Sequence, residues 1–121
     1  MDARMQTDDP LVILYVQCGG EVEAKQIASR LLDERLIACA NINASRSLYR
    51  WQAEIAGEHE QVLVCKALAS RAESAAGRAR QLHSYEVPCV LTLDHAHAND
   101  EFYRRVCAEV AELEQADAGQ S

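Results

Sequence analysis

Cysteine and histidine are the residues of this chain best suited to chemistry, because thiolate and imidazole bind borderline and soft cations such as copper and zinc. Its 121 residues include five cysteines, at 18, 39, 65, 89 and 107, and four histidines. No cysteine pair has C-x-x-C spacing and the count is odd, which argues against a disulfide framework and predicts reduced, mostly buried thiols. Cys39, between alanines at the start of an apolar stretch, reads as core packing, whereas Cys18, beside Gly19-Gly20, is expected to be the most accessible thiol. His95-Ala96-His97 is the only closely spaced histidine pair; an extended backbone would put both rings on one side, and a solvated loop is the alternative.

The densest polar cluster is His83-Ser84-Tyr85-Glu86-Val87-Pro88, which sets a titratable ring, a phenol and a carboxylate beside a stiff proline. It reads either as a ligand cleft, approached by Lys66 and by the turn carrying Trp51 and Glu54, or as a helix cap with histidine at the negative end of the dipole. Gly19-Gly20 could offer backbone amides to an anion, but the G-x-G-x-x-G and Walker patterns are missing and a simple turn is the plainer reading. No G-x-S-x-G or H-E-x-x-H motif occurs, so the chain is read as a non-enzyme without an organic cofactor.

The bulk composition narrows the partners. Twelve Lys and Arg against nineteen Asp and Glu give a net charge of −7, with no basic stripe for nucleic acid. The apolar run at 11–16 is too short for a membrane span and its flanks are too acidic for a signal peptide, so a cytoplasmic protein is expected. Residues 1–10 and 114–121 read as a disordered and a flexible tail around a single domain at 11–113, and 49% hydrophobic residues suffice for one core.

The elements that must position these groups follow from periodicity. Residues 11–18 form a short buried strand ended by Gly19-Gly20. Ala24, Ile27, Ala28, Leu31, Leu32 and Leu36 then mark one face of a helix of about 16 residues. Residues 37–51 are extended, with the turn placed at Ala56-Gly57-Glu58-His59 and a returning strand at Val62–Lys66. Ser70 and Glu73 fit a capping box opening a second helix, whose inward residues are Ala72, Ala75, Ala76 and Ala79. Val87–Leu93 reads as a strand with Pro88 at its start, and Asn99 caps a last helix with core face Tyr103, Val106, Cys107, Val110 and Leu113. The order β-α-β-β-α-β-α predicts an α+β, ferredoxin-like βαββαβ sandwich with an extra C-terminal helix and a long central hairpin. One sheet face is left open around Tyr49, Trp51, Ile55 and Val62, which implies self-association.

Three blocks, Glu34–Ile42, Ser47–Ile55 and His83–Pro88, together resemble the CutA divalent-cation tolerance family over roughly residues 11–113. The resemblance implies a homotrimer similar to PII-type signalling proteins and a role in tolerance of copper and other divalent cations. It puts Cys39 and His83 on family positions implicated in metal binding, with Cys18 as a nearby candidate, since the family thiol aligns better with Val16. A PII-like sensor or scaffold, with Trp51, Glu54, Lys66, Tyr85 and Glu86 lining clefts between subunits, is the alternative. Ser84 stands where the family usually has proline, Cys89 where it has glutamate and Ala53 where it has glycine.

Overall fold

The computed structural model describes residues 4–120, with only the backbone at 95 and 111–120. Its elements are β1 (Leu11–Cys18), α1 (Glu21–Asp33), β2 (Cys39–Trp51), β3 (Glu54–Leu68), α2 (Ala69–Leu82), β4 (Val90–Ala96) and α3 (Asp100–Gln120). The sheet order is β2-β3-β1-β4 and every neighbouring pair is antiparallel, which is the expected ferredoxin-like sandwich.

Side chains alternate across a strand, so the two faces of the sheet carry different cores. On one face Leu14, Val16, Cys18, Leu63 and Cys65 meet Ala24, Ile27 and Leu31 of α1 and the small residues Ala75, Ala76 and Ala79 of α2. On the other, Leu11 and Leu68 meet Tyr103, Val106, Cys107 and Val110 of α3. The face expected to be open is therefore covered at one end by α3. Leu91 and Leu93 stay about half exposed elsewhere on it, while Val62 is buried. The Leu113 side chain lies outside the described residues.

Several boundaries differ from the sequence reading for identifiable reasons. Helix α1 stops at Asp33, short of Leu36, because Arg35 adopts a left-handed φ of 57°. Leu36 N–H then bonds Leu31 C=O and Arg35 N–H bonds Leu32 C=O, a Schellman closure that folds Leu36 back onto the core without helix. The hairpin turn lies at Gln52-Ala53, with φ of 51° and 67°, a two-residue turn of the I′ kind. The stretch expected as the turn, Ala56–His59, is paired strand instead. Strand β4 begins at Val90 because residues 83–89 are held as a loop by bonds described below. Gln17 N–H donating to Cys89 C=O marks the edge of that pairing.

Ser70 is inside α2 rather than its cap, and the expected capping box does not form. Asp9 does the capping from outside: its carboxylate accepts Ser70 N–H at 2.8 Å and Ser70 Oγ–H at 2.7 Å, and Arg4 closes the same carboxylate at 2.8 Å. Tyr103 Oη–H donates to Asp9 C=O at 2.7 Å, and Gln6 bonds both Ala98 and Asp100. Residues 4–10 of the expected tail are thus bonded to α2 and α3, and residues 1–3 lie outside the described residues. The α3 backbone likewise continues through Gln120, since Ala, Glu and Gln propagate helix without needing an apolar period.

Beyond Gln61 no β1 partner remains, so residues 45–51 and 54–60 run on as a two-stranded ribbon. Leu48, Trp51 and Ile55 are 79%, 62% and 77% exposed on it.

Two stability changes follow. Asp9→Ala removes the outside cap of α2 and lowers unfolding stability by about 1–2 kcal/mol. Ala53→Gly relieves a left-handed alanine and raises stability by about 1 kcal/mol. Denaturant titration of both variants checks the two opposite signs.

Candidate functional site

The end of β1, the first turn of α1 and the loop 83–89 converge. Glu23 reaches back from the first turn of α1, where its Oε1 accepts Gly19 N–H at 3.1 Å and its Oε2 accepts Ser84 N–H at 2.8 Å. The anion position at Gly19-Gly20 is therefore filled by a carboxylate of the protein itself. Burial opposes ionisation of Glu23, but the Ser84 and Gly19 bonds and the neighbouring His83 outweigh it and hold its carboxyl below the ordinary range.

His83 follows the last residue of α2 and is buried. Its Nε2 lies 2.5 Å from Gln17 C=O, and its Nδ1 lies 3.1 Å from Tyr85 N–H. A carbonyl can only accept and an amide N–H can only donate, so the partners assign the proton to Nε2 and the lone pair to Nδ1. The ring also packs at 4.7 Å, tilted by 58°, against Tyr85. His83 thus follows a helix end, but its ring bonds the end of β1 and Tyr85 rather than the last carbonyls of α2.

Cys18 is fully buried, contrary to its expected accessibility, because it closes β1 on the helix-covered face. Burial, then the charges of Glu23 and Glu60, push its thiol up to about 12, so it is protonated at neutral pH. One donor atom each of Cys18, Glu23 and His83 lies within 4.8 Å of the others. Cys39 is outside this group. It pairs with Lys66 in the β2–β3 ladder, whereas Cys18 pairs with Gln61, a separation of about 17 Å along β3 and on the opposite face. Within one chain, His83 is therefore joined by Cys18 and Glu23 rather than by Cys39. The side chain of His95 lies outside the described residues.

The second feature is a groove of about 620 Å³ on the other sheet face, running from Gln17 and Cys89 to Trp51 at the end of the ribbon. Glu58 and Glu60 line it, with Tyr49 Oη–H donating to Glu58 at 2.8 Å and Tyr85 Oη–H donating to Glu60 at 3.1 Å. Burial, then the Glu60 bond and nearby carboxylates, raise the Tyr85 phenol to about 12, and the Glu58 bond raises that of Tyr49. Gly19 makes room for Tyr85: a Cβ there would lie 3.0 Å from its Oη.

Of the expected cleft residues, Trp51 and Tyr85 line the groove and Glu54, Lys66 and Glu86 do not. Glu54 faces Trp51 at the ribbon tip, and Lys66 lies far along the sheet, bonded to the Asn41 side chain. Glu23, Glu58 and Glu60 were not singled out in the sequence. The last two alternate along one strand, a period that becomes readable only once the turn is placed at Gln52-Ala53.

Comparison with known proteins gives consistent results. The family model of the CutA1 divalent ion tolerance protein matches residues 12–109. The divalent-cation tolerance protein CutA of Thermus thermophilus is 34% identical over 91 residues, which cover 74% of this chain and 88% of that one. Its counterpart in Pyrococcus horikoshii is 29% identical over 99 residues, covering 82% and 97%. Among solved structures, the divalent ion tolerance protein CutA1 from Ehrlichia chaffeensis superposes with a TM-score of 0.80 at 31% identity, covering 84% of this chain and 95% of that one.

The burial and raised pKa of Cys18 predict that iodoacetamide at pH 7.5 modifies the half-buried Cys39 and Cys89 first and leaves Cys18 unmodified in the folded protein. Peptide mass spectrometry over time reads the order, and Cys18 labelling as fast as Cys89 would contradict the described site.

Proposed function

The chain belongs to the CutA1 divalent ion tolerance family, and we propose on that footing that it acts as a divalent-cation tolerance protein. It takes up copper or a related divalent ion at Cys18, Glu23 and His83. The observation that carries this reading is the meeting of a thiol, a carboxylate and an imidazole within 4.8 Å, a donor set suited in type and spacing to a borderline cation.

Each of those donors is engaged without the metal. Cys18 carries its proton, Glu23 accepts two amide N–H groups, and His83 donates at Nε2 and accepts at Nδ1. A metal must therefore displace the Cys18 proton and compete with the bonds that fix residues 83–89, so uptake is coupled to proton release and to movement of that loop. Binding rather than turnover is the activity proposed.

The assembly proposed is a homotrimer in the cytoplasm. The exposed Leu48, Trp51 and Ile55 of the ribbon and the half-exposed Leu91 and Leu93 of the sheet support copies of this chain as their cover. A second reading, a PII-like sensor of a small ligand, is favoured by the groove alone.

Calorimetric titration of copper into the reduced protein under argon tests the metal reading. The account expects Cys18→Ser and His83→Gln each to weaken binding by about tenfold or more, with Cys39→Ala close to wild type. Wild-type affinity in both of the first two variants would exclude this site. Sedimentation of the same samples reads the assembly, and a monomer at micromolar concentration would exclude the trimer.

A further inference from the structure

We propose that the pocket between α1 and the end of α2 binds a small organic anion, a phosphate monoester, held by Lys25, Ser29 and Arg30 with its organic part against Leu82. The inference stands apart from the metal reading and from the groove beside the ribbon, and it shares no residue with either.

The pocket, of about 460 Å³, is within the range of small-molecule sites and is lined by Lys25, Gln26, Ser29, Arg30 and Leu82. At about 100° per residue, Ser29 and Gln26 fall between Lys25 and Arg30 around the helix, so four polar side chains share one face of α1 within about one and a half turns. Lysine and arginine only donate, and the serine hydroxyl and the glutamine amide can donate as well. No carboxylate lines the space: Glu21 and Asp33 stand about one turn outside the lining at either end. The sign of the lining is therefore positive in a chain whose net charge is −7.

These donors are also uncommitted. Among the described residues no ion pair or hydrogen bond takes up the side chain of Lys25, Gln26 or Ser29. Arg30 Nε meets Glu34 at 3.5 Å, but Arg78 holds that same carboxylate at 3.0 and 3.1 Å, which leaves both terminal nitrogens of Arg30 to fork onto an oxyanion. Two positive charges match a doubly ionised phosphate, whose oxygens can engage all of these donors at once. A carboxylate is the poorer occupant, because its single charge and two oxygens satisfy fewer of them. Leu82, half-buried where α2 packs on the core, gives an organic part its apolar contact. The surfaces proposed to meet neighbouring copies are on β2, β3 and β4, whereas this pocket lies on the exposed side of α1, so the assembly leaves it open.

Nitrogen-15 amide shifts of the full chain are followed while phenyl phosphate is added in phosphate-free buffer with EDTA. Inorganic phosphate, benzoate and phenol serve as probes of each part of that molecule. The proposal expects saturable shifts at residues 25–30 and 82 with phenyl phosphate, weakened about tenfold by Lys25→Gln and by Arg30→Gln. Both side chains are exposed, so neither change disturbs the core. Shifts confined to other residues, an equal response to phenol, benzoate or inorganic phosphate, or wild-type affinity in both variants would overturn it. Both variants keep Cys18, Glu23 and His83, so copper uptake is read independently in the same samples once EDTA is removed.

Discussion

Residues 83–89 have no helix or strand of their own, and their position rests on a few polar bonds to the end of β1. The imidazole of His83 lies between a carbonyl it must donate to and an amide it must accept from. Glu23 fastens Gly19 and Ser84 from the side. Because His83 is buried, breaking either ring bond would leave a polar group unsatisfied, a cost of about 1–3 kcal/mol that exceeds the net gain of an ordinary surface bond. The ring held between these two partners is thus part of the architecture: it fixes where α2 ends, where β4 begins and which way Tyr85 points.

This one tie serves both features of the molecule. On the helix-covered side it brings the imidazole to Cys18 and Glu23; on the other it sets Tyr85 against Glu60 as a wall of the groove. Gly19, just past the end of β1, has no side chain to keep Tyr85 away. His83 is therefore the one residue that stands both beside Cys18 and Glu23 and behind the Tyr85 wall of the groove. The net charge of −7 gives the chain as a whole an acidic field.

Much of this was legible in the sequence. Apolar period 3.6 located the buried faces of α1 and α2, and the order of elements identified the sandwich. His83 and Tyr85 stood out as a polar cluster beside a proline. What escaped was left-handed backbone at non-glycine residues. Arg35 ends α1 and Gln52-Ala53 turns the hairpin, yet none carries the glycine or asparagine that marks such positions. With the turn misplaced, Glu58 looked like loop and the acidic period of the ribbon was hidden. Asp9 was equally invisible as a cap, because a cap supplied from outside the helix leaves no local pattern. Cys39 and Cys18 exchanged prominence for a related reason: strand register decides which face and which rung a cysteine occupies, and one sequence does not display register.

The central claim is that His83 is held as the Nε2–H tautomer by Gln17 and Tyr85. Nitrogen-15 NMR of the metal-free protein labelled at histidine measures this directly at neutral pH. The account predicts a protonated Nε2 and an unprotonated Nδ1 for His83. A proton on Nδ1, or rapid averaging between the two nitrogens as in a free imidazole, would contradict it.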